Sequence, residues 1–524
     1  MKKPIFEYGH DQLTAGKAVA LCTGALEGIV AHAVRDKIRQ SQQTIVDIVE
    51  EGKVVYGVNT GFGSLCTTII SPSETRKLQY NILRSHSVGV GNPIAVEIAK
   101  LMLIIKVHAL CQGYSGIRLE TLERLLWHID NDFIPVVPSQ GSVGASGDLA
   151  PLAHLFLPLI GQGKLVRKGT VADAGALLRE EGIEALQLGP KEGLALINGT
   201  QFIAAHAVKV LEKLHGCLAH ADIIGAMMIE GLLGSVMPFE ERLHRLRPYK
   251  GNLHVAHRVH YLLKGSEILR SHADCGRVQD PYSLRCIPQV HGASRNAWLH
   301  MKELTEIELN SVTDNPIVFD KDHAISGGNF HGQPMAMALD YTALAAAELG
   351  NISDRRIYLA LEGKVEGLPV LLMKDTGINS GFMLPQYTTA ALVSENKSLV
   401  YPASADSIPT SLGQEDHVSM GSISARKALQ VIENLEKVLA IELLCAAQCF
   451  DFRRPLKSGE MLETCHAVVR ERIDHAEEDR IFAHDIETAL ELIQSRELLN
   501  VTQNLTDNGH ADFRSPHDEL FEVY

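Results

Sequence analysis

The segment Ala425–Asp451 places Leu429, Ile432, Leu435, Val438, Leu439 and Leu443 at steps of three and four residues. That spacing commits it to one long helix with an apolar stripe. At 1.5 Å per residue such a helix runs for about 40 Å, and only other long helices can cover a stripe of that length. Tyr341–Leu361 and Thr200–Met237 repeat the pattern with alanine-rich faces that allow close helix packing. Strand-like pieces, Lys53–Tyr56 and Lys164–Val166, fall mostly in the first third of the chain. The expected fold is therefore mainly α, with a smaller mixed N-terminal region followed by a large bundle of long helices. A soft boundary is drawn after the loop ending at Gly147, giving an N-terminal region 1–150 and a helical bundle 151–524 that carries further loops. No internal repeat or low-complexity linker is visible.

Bulk properties exclude several classes of function. The chain has 524 residues, 45% of them hydrophobic, enough for a sizeable core. Its net charge of −14 argues against a general nucleic-acid or anionic-membrane role. No apolar run follows Lys2 and Lys3, so no secretory signal is expected. The apolar stretches Leu149–Gly161 and Ile223–Phe239 are broken by His154 and Glu230 and read as buried helices, not membrane spans. Nine cysteines without a CxxC pair argue against a disulfide framework and for a reducing, cytoplasmic setting. Cys445 and Cys449 read as small buried hydrophobes. His254, His257 and His260 recur at helical steps but lack the acid of an HExxH arrangement, so no metal is assigned.

Gly- and Pro-rich loops separate the helices: Gly89–Pro93, Pro138–Gly147, Gly327–Pro334 and Pro402–Gly413. Polar loops on a rigid helical frame are where chemistry tends to sit. In Gly141-Ser-Val-Gly-Ala-Ser-Gly-Asp148, three glycines within seven residues permit tight turns at positive φ. Asp148 is the expected N-cap of a helix through Leu149–Leu157, with Pro151 tolerated in its first turn. Ala145-Ser146-Gly147 then sits at the positive end of that helix.

The three residues suit one reaction. Attack of the Gly147 amide nitrogen on the Ala145 carbonyl closes a five-membered ring with loss of water. Loss of the Ser146 hydroxyl leaves an exocyclic methylene, a Michael-type electrophile. Glycine leaves the attacking nitrogen open, serine supplies the departing oxygen, and alanine keeps the turn small. A nearby helix N-terminus would stabilise charge on the ring oxygen. Taken alone, the tripeptide is no more than a glycine turn before a helix.

Its surroundings carry more. Gly144-Ala-Ser-Gly-Asp-Leu-Ala-Pro-Leu-Ala-His154 resembles the cofactor segment of the aromatic amino acid lyases, which share a methylidene-imidazolone (MIO) group. The other signatures follow in that family's order: Tyr56-Gly-Val-Asn-Thr-Gly-Phe-Gly63, Glu192-Gly-Leu-Ala-Leu-Ile-Asn-Gly-Thr200, Gln279-Asp-Pro-Tyr-Ser-Leu-Arg285, Thr313-Asp-Asn-Pro316, Gly327-Gly-Asn-Phe-His-Gly-Gln333 and Gln414-Glu-Asp-His-Val-Ser-Met420. The resemblance spans Tyr56 to Lys427.

It implies an ammonia-lyase whose MIO forms from Ala145, Ser146 and Gly147, with no external cofactor. A base must remove a β-proton, and which substrate atom attacks the methylene stays open. The resemblance makes Tyr56, on a loop over the site, the candidate base, with Tyr282 sharing the proton work. Arg285 would pair with the substrate carboxylate, for which its planar fork is well shaped. Asn198 would bond the cofactor ring or the substrate amine, Gln279 and Asn315 would complete the polar wall, and Phe330 would pack beside the cofactor. The family also implies an amino acid substrate and a homotetramer whose sites draw on several chains.

Substrate choice rests on fewer residues. Ser71-Pro-Ser-Glu74 has the pattern of a capping box opening a helix whose last turn carries Ser85-His86. A Ser-His pair there contacts imidazole in histidine-acting relatives, though some tyrosine-acting ones share it. Glu415 discriminates better: histidine-acting members carry Gln-Glu-Asp-His, whereas phenylalanine and tyrosine types usually have glutamine in place of the glutamate. A carboxylate accepts an imidazole N–H but is desolvated at a cost beside a phenyl ring. The resemblance thus implies histidine converted to trans-urocanate, the first step of histidine degradation. The alternative is a tyrosine or other aryl amino acid ammonia-lyase, or a 2,3-aminomutase. Ile287, His291 and Leu412-Gly413 depart from the usual residues of histidine-acting members and leave room for a shifted substrate range. The fumarase-like lyases share a long-helix bundle, but their Gly-Ser-Ser-x-Met-Pro-x-Lys loop is absent, since Gly234-Ser-Val-Met-Pro-Phe239 lacks the second serine and the lysine.

Overall fold

The computed structural model describes residues 3–61, 70–274, 276–507 and 514–524. Among them helices dominate, and the strands pair only in twos and threes. The chain forms two compact units, each built from three stretches. One comprises 1–209, 301–340 and 402–426, and the other 210–300, 341–401 and 427–524. Residue 150 lies inside the first unit. The chain passes between the units five times, once at Tyr401-Pro402 and four times within long helices, Gln201–Gly231, Ile287–Leu309, Gln333–Leu361 and Gly421–Asp451.

The described strands lie in the first unit. Ile5–Glu7 runs parallel to Glu27–Ile29, and Lys164–Arg167 lies between Ile134–Pro135 and Thr170–Asp173. Two segments that read as loops pair with each other, with Val90 opposite Gln140 and Pro93 opposite Pro138. Lys53–Tyr56 is not a strand. The Asn59 side chain takes the place of a neighbouring strand, accepting from Val55 N at 2.9 Å and donating to Lys53 O at 2.8 Å. Both backbone groups are thereby satisfied without a ladder. The helix Pro72–His86 ends at the Ser85-His86 pair, and at its start Ser71 Oγ donates to Glu74 Oε2 at 3.0 Å.

In the second unit the helix Gly421–Asp451 is more than a stripe. Every residue from Ile441 to Phe450 is buried. Small side chains make this possible: a Cβ at Gly231 would lie 2.6 Å from Cys449 Cβ. Helices that bury all their faces must satisfy any charge they contain. Glu442 does so with the Nε and Nη2 of Arg356, which bind its two oxygens side by side, and with Ser353. His291 belongs to the same unit's core, bonding Asp222 Oδ1 at 2.9 Å and facing Arg356 Nη1 at 3.3 Å. Ile287 is equally buried, so these two of the departures from the usual residues sit in core packing.

Three-residue steps turn a helix by about 300°, so His254, His257 and His260 fan apart. His254 is buried, His257 half-buried and His260 exposed. The chain's last residues supply the acids missing from the local sequence: His254 Nδ1 lies 3.5 Å from Asp518 Oδ1 and Nε2 lies 3.1 Å from Glu522 Oε1. Arg258 approaches the same Glu522 oxygen at 3.2 Å and Arg295 at 3.7 Å, so guanidinium charge already faces this carboxylate. Among the described residues no disulfide forms, and no helix is long and apolar enough to cross a membrane.

Candidate active site

Asp148 precedes the helix Leu149–Phe156, as its sequence predicts, but does not cap it. Its carboxylate turns to another helix, where Oδ2 accepts from Ile203 N at 3.0 Å. Ile203 lies in the first turn of the 31-residue helix Gln201–Gly231, whose free N–H groups and dipole favour an anion there. Burial raises the Asp148 carboxyl to about 7, against the pull of the Ile203 and Phe202 amides.

That link draws two loops together. Gly147 pairs with Gly199 as in a parallel ladder, and Asp148 N donates to Gly199 O at 2.7 Å. Gly147 has φ +81°, and a Cβ on it would lie 2.1 Å from Gly199 O, so only glycine fits. Ser146 itself is left-handed at φ +50°, and Ala145 is buried beside Val418 and Met420. Two donors converge on the Ser146 carbonyl oxygen: Asn198 Nδ2 at 2.9 Å and Gly199 N at 3.4 Å. This is the geometry of an oxyanion hole around the atom that ring closure would turn into the ring carbonyl oxygen. Sequence reasoning placed charge stabilisation at the N-terminus of Leu149–Phe156; the structure supplies these donors from Asn198-Gly199 instead. Among the described residues Asn198 Oδ1 is buried without a hydrogen-bond partner, an acceptor left over for a ligand.

In front of Ser146 is a cavity of about 520 Å³, wholly within the first unit. Tyr56, Ala145, Ser146, Asn198, Asn315, Phe330 and Glu415, all singled out from sequence, line it. Glu415 holds the Ser146 hydroxyl, which donates to its Oε1 at 3.0 Å. Its Oε2 accepts from Thr410 Oγ1 at 2.9 Å, across a bridge between the two backbones. The loop that makes this turn holds Ser411 and Leu412 in left-handed conformations, and Leu412 is 94% exposed. Asn315 spends its amide on the wall: Oδ1 accepts from Gly327 N at 2.7 Å and Nδ2 donates to Ser326 Oγ at 3.1 Å. His86 is not among the lining residues, although the Glu415 charge reaches it; burial lowers its pKa, partly offset by the Ile82 carbonyl and by Glu415. Phe62 and Gly63, which end the Tyr56 motif, lie outside the described residues.

Gln279, Tyr282 and Arg285 do not line this cavity. They cluster in the second unit, with the Arg285 guanidinium 4.6 Å from the Tyr282 ring centre and its Nη2 donating to Gln279 Oε1 at 2.9 Å. Tyr282 is 71% exposed.

Some participants escaped sequence reasoning. His331 and His417 line the cavity with rings stacked at 5.7 Å. Behind the site, Lys106 is buried in the helix Val96–Leu110 and donates to Asn198 O at 2.7 Å. A lysine set within the apolar run Leu101–Leu110 of that helix was the available signal.

The sequence profile of the aromatic amino acid lyases matches residues 13–471, and the chain belongs to that family. It is similar to the histidine ammonia-lyase of Natranaerobius thermophilus, 47% identical over 487 residues, 93% of this chain and 94% of that one. Among solved structures it resembles the histidine ammonia-lyase of Trypanosoma cruzi, with a TM-score of 0.89 at 40% identity over 99% of this chain and 98% of that one. It also resembles a tyrosine aminomutase from Streptomyces globisporus, with a TM-score of 0.90 at 34% identity over 96% and 98% of the two chains.

Proposed function

We propose that this chain is a carbon–nitrogen lyase that eliminates ammonia from L-histidine to give trans-urocanate, with an MIO formed from Ala145, Ser146 and Gly147. The observation that carries the reading is the Glu415 carboxylate, 3.0 Å from the Ser146 hydroxyl that must leave. The residues present fit the group: Gly147 is pressed against Gly199 where no side chain could stand, and the Ser146 oxygen already has two donors. Once formed, the group supplies an electrophilic methylene that no ordinary side chain offers.

The chain's own residues do the rest. Asn198 Nδ2 and Gly199 N hold negative charge at the Ser146 oxygen. Glu415, freed of the serine hydroxyl, accepts the imidazole N–H, with His86 near enough to feel its charge. Tyr56 removes the β-proton from the cavity wall, Asn315 fixes that wall, and Phe330 covers one side. Arg285 binds the substrate carboxylate, Gln279 orients that arginine, and Tyr282 shares the proton work. These three are supplied by a neighbouring copy in a homotetramer, so that each site is complete only in the assembly. The absence of a CxxC pair from the sequence supports a cytoplasmic setting.

An ultraviolet time course with L-histidine tests the reading. Growth of the conjugated urocanate band is the expected result. Protein shown by mass to have lost two waters, yet silent with histidine and active with tyrosine, would move the substrate to an aryl amino acid. Recovery of a β-amino acid would instead identify an aminomutase.

A further inference from the structure

We propose that Lys106 is a positioning residue for the Ser146 carbonyl oxygen, acting through the Asn198–Gly199 peptide. The inference rests on the reading of Ala145-Ser146-Gly147 as a cofactor-forming triad.

Lys106 is 1% exposed, and an ammonium group taken out of water is costly unless its donors are used. Its Nζ donates to Asn198 O at 2.7 Å and reaches Gln201 Oε1 at 3.5 Å. Among the described residues no carboxylate lies at ion-pair distance from it. Nearby Asp314 is held by others, accepting from Lys191 Nζ at 2.8 Å and from Ser115 Oγ at 3.0 Å. Neutralising Asp314 therefore does not account for Lys106.

The peptide that Lys106 touches does account for it. The Asn198 carbonyl and the Gly199 N–H are the two ends of one amide. A donor carrying positive charge at the carbonyl end draws electron density through the amide and makes the N–H at the other end a better donor, as in any hydrogen-bonded chain. That N–H faces Ser146 O at 3.4 Å. The second donor on the same oxygen is the Asn198 side chain at 2.9 Å, carried by the residue whose carbonyl Lys106 fixes. One buried cation thus sets both donors. Burial brings Lys106 down to about 7, with Asp314 and Asp148 pulling it up and Lys191 pushing it further down, so its charge depends on what surrounds this peptide.

The test uses the full-length protein and two variants, Lys106→Met, which removes the donor, and Lys106→Gln, which keeps an N–H without the charge. Three quantities are read: intact mass, the ultraviolet difference band of the mature ring, and kcat and KM. The parent and both variants are expected to lose two waters. In the variants the ring band shifts, and kcat falls about tenfold or more while KM stays within about twofold, with Lys106→Gln the milder. If Lys106→Met does not fold, Lys106→Gln decides alone. A variant with the parent's band and kcat overturns the proposal, and so does a fall in kcat with an unmoved band, which marks a purely structural lysine. A folded variant that keeps its waters places Lys106 in ring closure and overturns the proposal as stated. A parent that keeps both waters removes the triad reading, and the role of Lys106 with it.

Discussion

The Ser146 hydroxyl donates to Glu415 Oε1 at 3.0 Å, while the other oxygen of that carboxylate is pinned by Thr410 at 2.9 Å. The first of these bonds cannot outlast maturation, because the serine oxygen departs. The second remains and keeps the carboxylate aimed. Maturation thereby opens an acceptor beside the new methylene. Glu415→Gln keeps the shape and loses the charge. Histidine turnover is expected to fall by about tenfold more than tyrosine turnover, since hydrogen bonds to charged groups are worth about 1.5–3 kcal/mol. Parallel kcat/KM measurements on the two amino acids check this, and equal losses would remove Glu415 from substrate selection.

Gly147 and Ser146 separate ring closure from dehydration. In Gly147→Ala a methyl group would stand 2.1 Å from Gly199 O at φ +81°, so the two loops must part. Strain of this kind costs about 1–3 kcal/mol. The expected result is a lowered melting temperature together with retention of both waters in the intact mass. Ser146→Ala keeps the fold, because among the described residues its side chain bonds Glu415 alone. It forms no methylene, and turnover drops on the order of 10³-fold or more. A Ser146→Ala protein with substantial lyase activity would overturn the electrophile assignment.

Where sequence reading worked, the determinants were local. The Ala425–Asp451 periodicity and the strand at Lys164–Val166 depend on neighbours a few residues away. The tripeptide and Glu415 were legible because each sits in a distinctive short motif. Asp148 was misread as a local cap because the helix it serves starts more than 50 residues later, and nothing local marks that pairing. Lys53–Tyr56 has strand-like composition, but the side chain of Asn59 meets its backbone needs. Lys106 was harder to read for a related reason, since its contact is with Asn198, 92 residues along the chain, whereas Thr410 meets Glu415 across a five-residue turn that no motif marks.

Glu230 gives a pH signature apart from the site. It is fully buried in the second unit, and burial raises its carboxyl to about 7, with Ser458 and Ser266 opposing and Glu463 adding to the rise. The folded state therefore binds an extra proton between the ordinary carboxyl value of 4.5 and about 7. Stability from this group is full below that window, falls as pH rises through it, and is flat above. Glu230→Gln should remove about 2–4 kcal/mol of that decline. Urea midpoints at pH 5 and pH 8 provide the check: the parent loses more stability than the variant across this interval. Parallel declines would mean that Glu230 ionises freely in the folded chain.

Complementation tests whether the second-unit cluster completes the cavity from a neighbouring copy. Glu415→Ala removes a cavity residue of the first unit, and Arg285→Ala removes the guanidinium stacked on Tyr282 in the second. Each variant alone is expected to be nearly inactive, since losing a bidentate carboxylate anchor or the imidazole acceptor costs several kcal/mol in the transition state. If sites are shared, co-expressing the two variants produces mixed assemblies in which some sites take Glu415 from one chain and an intact Arg285 from another. Those sites are whole, so part of the activity returns. If each chain builds its own site, every site in the mixture carries one lesion, and activity stays at the level of the single variants. Separately purified variants mixed without subunit exchange serve as the control, because restoration depends on assembly and not on concentration.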